Sequence, residues 1–586
     1  MEITRLNFIE TLPIITEAIE DSSFIAIDAE FTGLTSRRRE NALDTCDERY
    51  LKLINGTKDF MIVQFGVCTF NWDEEQQQYI AKPFNFFTFP RPYNRQMPDI
   101  KFLCQSSSLE FLANQGFDFN KWVCHGIPFL LPVNEDKLRQ MVASRSSQSN
   151  DSTETEPMPI PPAFEKTIEL IMNKVEAFIA DSEQKALSLP PSSPLVRRLV
   201  YSHVNAVHKT CLHLESKTNE EKEKYVKMTK CSGDEKKALE RQKFDKENVK
   251  VEEAVGFSKI IRLLSQSGKL VLGHNMLLDL LHTIRLFVSP LPATLDGFKA
   301  LAKGVLPRLI DTKVMASTEP LQSLFHLSHL EEVYKTCCKA PFATPHVLFS
   351  EGFDQYAGDI EGSKSHEAGY DAYMTGIAFL AMASYLEKQR DGSSPCGEVD
   401  VEIIKPFMNK IFLFPRMEDI PYLNISGEDL VPSRDHVFYV EHPSEWQFTD
   451  IQKLFKDFGF VYITKINEMS AFVSVAKRER ATKVLQKLQK NNRPYRIQSY
   501  SVYHSNGKKD DTYQVNHHEP STSSQDANTN EQEHCITPCD TPDGPSFKRS
   551  TREESDVEDG EIPDSPEPLK KKLKGEHTYF DEPEDW

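Results

Sequence analysis

The chain has 586 residues, which is too long for one hydrophobic core, so several domains are expected. Its eleven cysteines are scattered and form no Cys-x-x-Cys pair, which argues for a reducing compartment and against a disulfide framework or a zinc finger. The sequence lacks an apolar stretch of the ~20 residues that a transmembrane helix needs, and it lacks a signal peptide. We therefore expect a soluble, intracellular protein with no membrane partner.

The formal net charge of −19 is unevenly distributed along the chain. Residues 506–586 contain nine Lys/Arg and twenty-one Asp/Glu, a net charge of −12, so the other residues together carry only −7. An acidic tail does not prevent the folded part of a chain from having a basic groove. The overall charge therefore does not exclude a nucleic-acid substrate.

The first strong pattern in the chain is a strand that ends in two acids. A short amphipathic helix is predicted before Ser23, and Phe-Ile-Ala-Ile-Asp-Ala-Glu-Phe at 24–31 then predicts a buried strand. Asp28 and Glu30 share one face of that strand because side chains alternate. Two carboxylates this close repel, and a divalent cation with oxygen ligands offsets the repulsion. An isolated Asp-x-Glu is more often a pair of solvated acids, so this motif alone leaves both interpretations open.

Strand-like runs recur at 60–67 and 84–89, and strand–helix units follow near residues 270 and 309. Strands followed by helices in this order predict an α/β domain with a mixed sheet. Its two parts, 1–145 and 251–400, are separated by a Ser/Thr/Glu/Pro-rich linker at 146–163 and by an insert at 164–250. The insert resembles the small Arg-x-x-x-His module that binds single-stranded nucleic acid. Its Arg198 and His203 are one residue too far apart, so an ordinary α/β insert with surface Arg and His is an equal alternative.

Two further motifs contain residue types that bind metals. Asn275 and Asp279 are four residues apart in His-Asn-Met-Leu-Leu-Asp, which predicts a shared helix face. His366 and Asp371 are five apart, a step that leaves helical side chains about 140° out of alignment, so His366 is predicted on the loop before the helix that holds Asp371. Asp311 also ends a predicted strand, and we interpret it as a structural or supporting acid rather than a ligand. With the Asp28–Glu30 strand, these motifs resemble the DEDD superfamily of 3′→5′ exonucleases in its His-containing branch.

The C-terminal part is predicted to contain a connector, a small domain and a tail. A strand-containing connector is predicted at 401–434, and the β-α-β-β-α-β pattern at 435–505 resembles an RNA-recognition motif whose basic-aromatic signature is degenerate. Residues 506–586 are polar and acidic, and we expect them to be disordered. The tail contains a candidate nuclear localisation signal, formed by Lys570, Lys571, Lys572 and Lys574.

Local sequence is similar to the family of poly(A)-specific ribonucleases. The strings that carry this resemblance are Asp-Ala-Glu-Phe-Thr-Gly-Leu, Phe-Gly-Val-Cys-Thr-Phe, Gln-Gly-Phe-Asp-Phe-Asn-Lys, His-Asn-Met-Leu-Leu-Asp and His-Glu-Ala-Gly-Tyr-Asp-Ala-Tyr. The resemblance implies a ribonuclease-H-like fold and a homodimeric, Mg²⁺-dependent 3′→5′ exoribonuclease that shortens single-stranded poly(A) tails of mRNA, trims non-coding RNA ends and releases 5′-AMP. It also implies stimulation by the 5′ 7-methylguanosine cap and a location in the nucleus, nucleolus and cytoplasm.

The same resemblance implies a role for each matching residue. Four carboxylates would hold two Mg²⁺ ions: Asp28, Glu30, Asp279 and Asp371. His366 would take a proton from the attacking water, a task suited to a side chain that titrates near neutrality. Trp446 would stack on the cap, although a core tryptophan is the alternative. The channel for the last nucleotides would be lined by Phe31, Leu34, Leu109, Phe111 and Lys313.

Two other functions compete with this prediction. A related enzyme of the same superfamily would trim small RNAs or DNA rather than poly(A), although the predicted RNA-recognition-like domain argues against DNA. A catalytically inactive RNA-binding scaffold would lack at least one ligand or the general base. All five of those positions are filled in this chain.

Overall fold

The structure is a computed structural model that describes residues 1–34, 43–94, 97–150, 157–208, 211–358, 364–392, 397–413, 422–430, 433–490 and 493–507. The strands are β1 (Glu2–Ile3), β2 (Phe24–Phe31), β3 (Ile62–Asp73), β4 (Gln78–Phe87), β5 (Ala186–Ser188), β6 (Leu212–Thr218), β7 (Lys224–Lys230), β8 (Leu270–Gly273), β9 (Leu309–Asp311), β10 (Val347–Phe349), β11 (Lys410–Phe412), β12 (Tyr422–Asn424), β13 (Val437–Glu441), β14 (Val461–Asn467), β15 (Ser470–Val475) and β16 (Arg496–Ser499). The helices are α1 (Phe8–Asp21), α2 (Cys46–Thr57), α3 (Ser106–Asn114), α4 (Phe119–His125), α5 (Pro132–Asn150), α6 (Glu165–Ala180), α7 (Pro194–His208), α8 (Gly233–Val255), α9 (Ser258–Ser267), α10 (Leu277–Phe287), α11 (Leu295–Val305), α12 (Thr312–Ala316), α13 (Leu330–Cys337), α14 (Ala368–Asp391), α15 (Val401–Ile404), α16 (Phe448–Leu454), α17 (Arg478–Ala481), α18 (Val484–Leu488) and α19 (Tyr500–Gly507).

A seven-stranded mixed sheet forms the frame of the larger domain. Its strand order is β1-β4-β3-β2-β8-β9, and β10 pairs with β4. The strands β2, β3 and β4 are antiparallel neighbours, whereas β8 and β9 continue the sheet in parallel on the other side of β2. The predicted α/β domain with a mixed sheet is therefore confirmed, and β2 lies at its centre.

The two faces of β2 pack against different helices. Ile25, Ile27 and Ala29 belong to the core formed with α1, α9 and α10, whereas Phe24 and Ala26 pack toward α14 on the opposite face. This alternation is what a strand period of two requires. It places the side chains of Asp28 and Glu30 together on the α14 face, which confirms the prediction that they share one face of the strand.

The inserted segment forms a separate small core. A three-stranded antiparallel sheet, in the order β5-β7-β6, packs with α6 and α7. In α7 the buried arginine is Arg197, which donates to the carbonyls of Ser192 and Lys224, while Arg198 is exposed. His203 contacts the carbonyl of Leu199 through Nδ1 at 2.9 Å. Arg198, which the sequence analysis compared with the arginine of the Arg-x-x-x-His signature, therefore lies on the solvent side of the helix.

Helix α8 returns the chain from the insert to the larger domain without a break. A capping box at Ser232 and Glu235 begins it, and Val251, Ala254 and Val255 are buried at its end. The sequence boundary between residues 250 and 251 falls inside this helix. The helical backbone continues past residue 250 as far as Val255.

The C-terminal domain has the predicted β-α-β-β-α-β order. Its four antiparallel strands are arranged β14-β15-β13-β16, with the buried residues of β13, β15 and α16 in one core. The connector before it contains the hairpin-like pair β11 and β12. The chain up to Ser499 is one compact unit, and α19 begins a second unit at Tyr500. Within the part of the chain that is described, no helix is long and apolar enough to cross a membrane.

Candidate active site

The start of α14 packs against the C-terminal end of β2, where Asp28 and Glu30 lie. Gly66 on β3 is paired with Asp28 across the ladder, and a Cβ atom at Gly66 would lie 1.9 Å from the carbonyl oxygen of Ala368. Only a residue without a side chain permits this approach. Gly66 was not among the predicted site residues, although a glycine in the middle of an apolar strand is a recognisable signal of close backbone contact.

Two buried amides attach the first turn of α14 to the sheet. The Gln64 side chain accepts a hydrogen bond from the backbone N–H of Ala368 at 3.0 Å, and Asn85 accepts one from Gly369 at 3.2 Å. Asn85 also donates to Glu367, at 3.0 Å. These bonds satisfy backbone donors that a helix start leaves unpaired. Neither amide was predicted, because a single polar residue in a strand does not reveal which distant backbone group it will meet.

Glu30, His366 and Asp371 meet at this junction. Each of the three offers a ligand atom, and these atoms lie within 4.8 Å of one another. His366 precedes α14 with φ = +70°, and its backbone N–H donates to Asp371 at 3.1 Å. Its ring Nδ1 lies 4.0 Å from the Asp371 carboxylate. The structure therefore confirms that His366 lies on the loop before α14 and that Asp371 lies in the first turn of this helix.

Asp28 and Asp279 complete a group of four carboxylates, of which Asp279 and Asp371 are buried and Asp28 and Glu30 are half-buried. Burial raises the pKa of Asp28 and of Glu30 well above the usual range, and the charges of Asp371 and Asp279 raise both further. Burial likewise raises the pKa of Asp279 and of Asp371 to about 7. Like charges in a poorly solvated site favour protonation, and binding of a cation would oppose that effect.

Asn275 does not lie where the sequence predicted it. It precedes α10, has φ = +60° and lies exposed, so it does not share a helix face with Asp279. The helical prediction was wrong because α10 begins at Leu277, after a turn that Asp311 stabilises. Asp311 accepts the backbone N–H groups of Asn275 and Met276 at 2.8 and 3.1 Å.

Asp311 is fully buried and bound by backbone donors. Besides the two donors in the turn before α10, it accepts hydrogen bonds from Lys313 and Phe412 at 3.0 Å each. Burial raises the pKa of Asp311, and these four hydrogen bonds oppose that rise. The Asp311 carboxylate thus connects β9 with the turn before α10 and with β11. These contacts indicate a structural role for Asp311.

The five residues predicted to line the channel lie in different environments. Phe111 is 41% exposed, and its ring meets the His366 ring edge-on with centroids 4.7 Å apart. Leu34 is 51% exposed, and Leu109 is half-buried on α3. Phe31 is only 9% exposed and packs in the core against His282. Lys313 lies over the Phe412 ring at 5.0 Å, and burial lowers its pKa.

Trp446 lies in the loop between β13 and α16 and is half-buried. Its ring is nearly parallel to that of His442, with centroids 6.1 Å apart, and lies 6.0 Å from Tyr495. It packs at the margin of the C-terminal core. The localisation candidates Lys570, Lys571, Lys572 and Lys574 lie outside the described residues.

Comparison with known proteins identifies the family. Residues 3–379 match the CAF1 family of ribonucleases, and residues 427–506 match a family described as an RNA binding domain. The chain is 43% identical over 517 residues to poly(A)-specific ribonuclease PARN of Xenopus laevis, covering 86% of this chain and 81% of that relative. The chain belongs to the CAF1 family of ribonucleases. Among its relatives, the human poly(A)-specific ribonuclease is 42% identical over 516 residues, which cover 86% of this chain and 80% of the human protein.

A relative whose name gives a different substrate is more distant. The pre-piRNA 3′-exonuclease trimmer of Bombyx mori is 27% identical over 521 residues, covering 86% of this chain and 94% of the trimmer. The sequence prediction of a poly(A)-specific ribonuclease is confirmed by the identities above 40%, and the expected fold class agrees with the matched family.

Proposed function

We propose that this CAF1-family enzyme removes poly(A) from the 3′ ends of RNA one nucleotide at a time, releasing 5′-AMP. The observation that carries the proposal is that Glu30, His366 and Asp371 meet at one end of β2, in a chain more than 40% identical to poly(A)-specific ribonucleases. The carboxylates of Asp28 and Asp279 lie close enough for their charges to interact with this group. Because all five positions are occupied, the alternative of an inactive scaffold has no support in the site.

We propose that the acid cluster binds a pair of Mg²⁺ ions. Carboxylate oxygens are the ligands that Mg²⁺ prefers, and Oδ1 of Asp279 is buried without a hydrogen-bond partner among the described residues. Asp28, Glu30, Asp279 and Asp371 would hold the ions. When bound, the ions would lower the pKa of a water and neutralise charge on the leaving 3′ oxygen.

We propose that His366 acts as the general base. Burial lowers the pKa of its imidazole, so the ring is neutral at pH 7 and able to accept a proton from a water molecule. The backbone hydrogen bond to Asp371 holds the loop residue beside the acids. The edge of Phe111 restricts the orientation of the ring on its exposed side.

We propose that the shape of the channel gives the enzyme a graded preference for adenine over the other bases. Phe111 and Leu34 are exposed near the acids, and an apolar wall discriminates by stacking rather than by base edges. Leu109 on α3 and Lys313 at the start of α12 would contact the following nucleotides. Phe31 would contribute indirectly, because its ring supports β2 from the core side.

We also propose that Trp446 stacks on a 5′ cap. A 7-methylguanine ring carries positive charge, and indole is the best aromatic partner for a cation. The half-buried position of Trp446 in a loop, next to Tyr495, leaves part of the indole open to a ligand. We also propose homodimer formation and a nuclear, nucleolar and cytoplasmic location. The candidate targeting signal is formed by Lys570, Lys571, Lys572 and Lys574.

Product analysis on defined RNAs tests the proposed function. The substrates are capped and uncapped RNAs that end in A, U, C or G, incubated with Mg²⁺ or with EDTA. The expected result is 5′-AMP from adenine-ended RNA with Mg²⁺ only, and faster release from capped RNA. Equal trimming of all four ends would favour a small-RNA trimmer, and release with EDTA would contradict the metal site.

Two tryptophan variants test whether Trp446 binds the cap. Trp446→Ala is expected to lose cap-analogue binding and cap stimulation while it retains hydrolysis of uncapped poly(A). Trp72→Phe, in the larger domain, serves as the control for the loss of one indole from the fluorescence signal. If a cap analogue quenches the remaining fluorescence of Trp446→Ala as strongly as that of the unchanged chain, the cap binds elsewhere.

A further inference from the structure

Glu367 lies between the proposed base and the helix that carries a proposed metal ligand. It is the N-cap residue of α14, with an extended backbone (φ −99°, ψ 115°), and it directly follows His366. Its carbonyl oxygen accepts the backbone N–H of Asp371 at 3.0 Å. His366 has φ = +70°, a left-handed conformation that is uncommon for a residue with a side chain and that persists only where neighbouring contacts hold it. The contacts of Glu367 therefore bear on the conformation of His366.

The Glu367 carboxylate is bound by two donors from separate segments. Its Oε1 accepts a hydrogen bond from the hydroxyl of Tyr356 at 2.7 Å and another from Nδ2 of Asn85 at 3.0 Å. Tyr356 belongs to a short helical turn at 354–356, whereas Asn85 lies on β4 in the sheet. Hydrogen bonds to an ionised acceptor are roughly twice as strong as those between neutral groups. The two donors thus tie the residue after His366 to the sheet and to the 354–356 turn.

Tyr356 is buried in a position that leaves its hydroxyl little room to move. It is 3% exposed, and its ring packs on that of Tyr370 with centroids 5.1 Å apart. A Cβ atom at Gly369 would lie 2.9 Å from the Tyr356 hydroxyl oxygen. Burial raises the pKa of Tyr356, and the charge of Glu367 raises it further, so the hydroxyl stays protonated and donates. A buried hydroxyl is costly unless it is hydrogen-bonded, and Glu367 satisfies this one.

The Glu367 carboxylate does not cap its own helix. Although Glu367 is the N-cap residue, its side chain accepts no hydrogen bond from the described N–H groups of α14. Gln64 and Asn85 bind the N–H groups of Ala368 and Gly369 instead. Stabilising the helix start is therefore a task of the two amides, and the bonds of the carboxylate serve to fix residue 367 itself.

We propose that Glu367 is a positioning residue for His366. Held by Tyr356 and Asn85, it fixes the main chain at 366–367 and so keeps the imidazole beside Asp371. The inference rests on the proposed role of His366 as the general base. Because the hydrogen bonds act through geometry, an uncharged acceptor at position 367 would serve as well as the carboxylate. The expected effect is on the rate of the chemical step and not on the affinity for RNA.

Turnover of uncapped poly(A) by the full-length protein with Mg²⁺ tests the inference. Tyr356→Phe removes one hydrogen bond to the carboxylate, and Glu367→Ala removes both. Each is expected to lower kcat about 10–100-fold and to leave KM unchanged. Glu367→Gln keeps an acceptor oxygen and is expected to recover most of the turnover. Tyr79→Phe is the control, because it also loses a buried hydroxyl, one that accepts the N–H of Val399 at 3.1 Å, and it is expected to keep normal kcat.

A double-mutant cycle distinguishes positioning from a general loss of structure. If Tyr356 acts through the imidazole, Tyr356→Phe is expected to have no further effect on kcat in a His366→Ala background. An equal loss in both backgrounds would show that Tyr356 does not act through His366 and would overturn the inference. Thermal unfolding of each variant shows whether it is folded at the assay temperature.

Three other results would also contradict the inference. Normal kcat in both Tyr356→Phe and Glu367→Ala, with His366→Ala impaired, would leave the base in place and remove only its positioning by Glu367. A rise in KM at normal kcat would indicate that Glu367 serves RNA binding. Turnover as low in Glu367→Gln as in Glu367→Ala would assign the effect to charge and not to geometry. Normal kcat in His366→Ala is a separate failure, because it would exclude the proposed base and the inference with it.

Discussion

Gly66 and Ala368 are in backbone contact across the junction of the sheet and α14, and this contact brings Asp371 to the two acids of β2. A Cβ at Gly66 would lie 1.9 Å from the Ala368 carbonyl oxygen and 2.6 Å from the Gly369 nitrogen. Both neighbours are backbone atoms, so neither can rotate away. The separation between strand and helix is therefore determined by the absence of one side chain.

Gly66→Ala is expected to displace the start of α14, destabilise the fold by about 1–3 kcal/mol and abolish most of the activity. Urea unfolding and turnover of poly(A) measure the two effects. Gly233→Ala is the matched control, because nothing lies within 4 Å of its Cβ position at the start of α8. A Gly66→Ala enzyme with normal turnover would show that the helix can move without separating the ligands.

The metal-free protein is expected to become less stable as pH rises from about 4 to above 7. Asp279 and Asp371 have pKa values raised to about 7 in the folded state, while the unfolded chain releases these protons near pH 4. The folded state therefore binds more protons in this interval, and the free energy of unfolding falls as pH rises. Thermal unfolding in EDTA from pH 4 to 8 measures this, and Mg²⁺ is expected to restore stability at pH 8.

Asp28→Asn removes one of the repelling charges. It is expected to abolish hydrolysis, to raise the melting temperature in EDTA at pH 8, and to reduce the additional stabilisation by Mg²⁺. Glu74→Gln, in the exposed turn between β3 and β4, is the control for loss of an acid. Normal turnover by Asp28→Asn would remove this residue from the proposed ligand set.

Asp311→Asn is expected to behave differently from Asp28→Asn. An amide has one acceptor oxygen, so its NH₂ group would face backbone donors that the carboxylate now satisfies. We expect a loss of stability of about 1–3 kcal/mol at pH 8 in EDTA. A gain in stability there would indicate that Asp311 belongs to the charge-repelling cluster.

His366→Ala is expected to lower the rate about 10²–10⁴-fold and to remove the acid limb of the pH–rate profile. That limb should lie below pH 6.5, because burial lowers the pKa of the ring. His203→Ala in the insert is the control for a lost imidazole. A mutant with the same pH profile as the unchanged enzyme would exclude His366 as the base.

Phe111→Ala and Phe31→Ala distinguish a residue that contacts substrate in the proposed channel from a residue that stabilises the core. Phe111 is exposed beside His366, so its removal is expected to raise KM for poly(A) and narrow the preference over poly(U) with little change in stability. Phe31 is buried, so Phe31→Ala is expected to cost about 3–5 kcal/mol of stability. If Phe111→Ala leaves the ratio of A to U turnover unchanged, adenine selectivity depends on other residues.

Local patterns were sufficient to predict the elements that present the acids. The alternation of 24–31 determined which face of β2 carries Asp28 and Glu30, and the five-residue step placed His366 before α14. These predictions succeed because strand and helix periods are properties of the backbone and need no information about distant residues. The prediction for Asn275 failed because the turn before α10 depends on Asp311, 36 residues further along the chain.

The sequence alone determined the residue types of the site, the order of the strands and helices that carry them, and the family to which the chain belongs. Only the tertiary structure decided how those residues meet. Gln64 and Asn85 cap a helix that begins about 300 residues later, and Gly66 sets its distance from the sheet. Each of these features depends on contacts between segments far apart in the chain, which periodicity and composition do not encode.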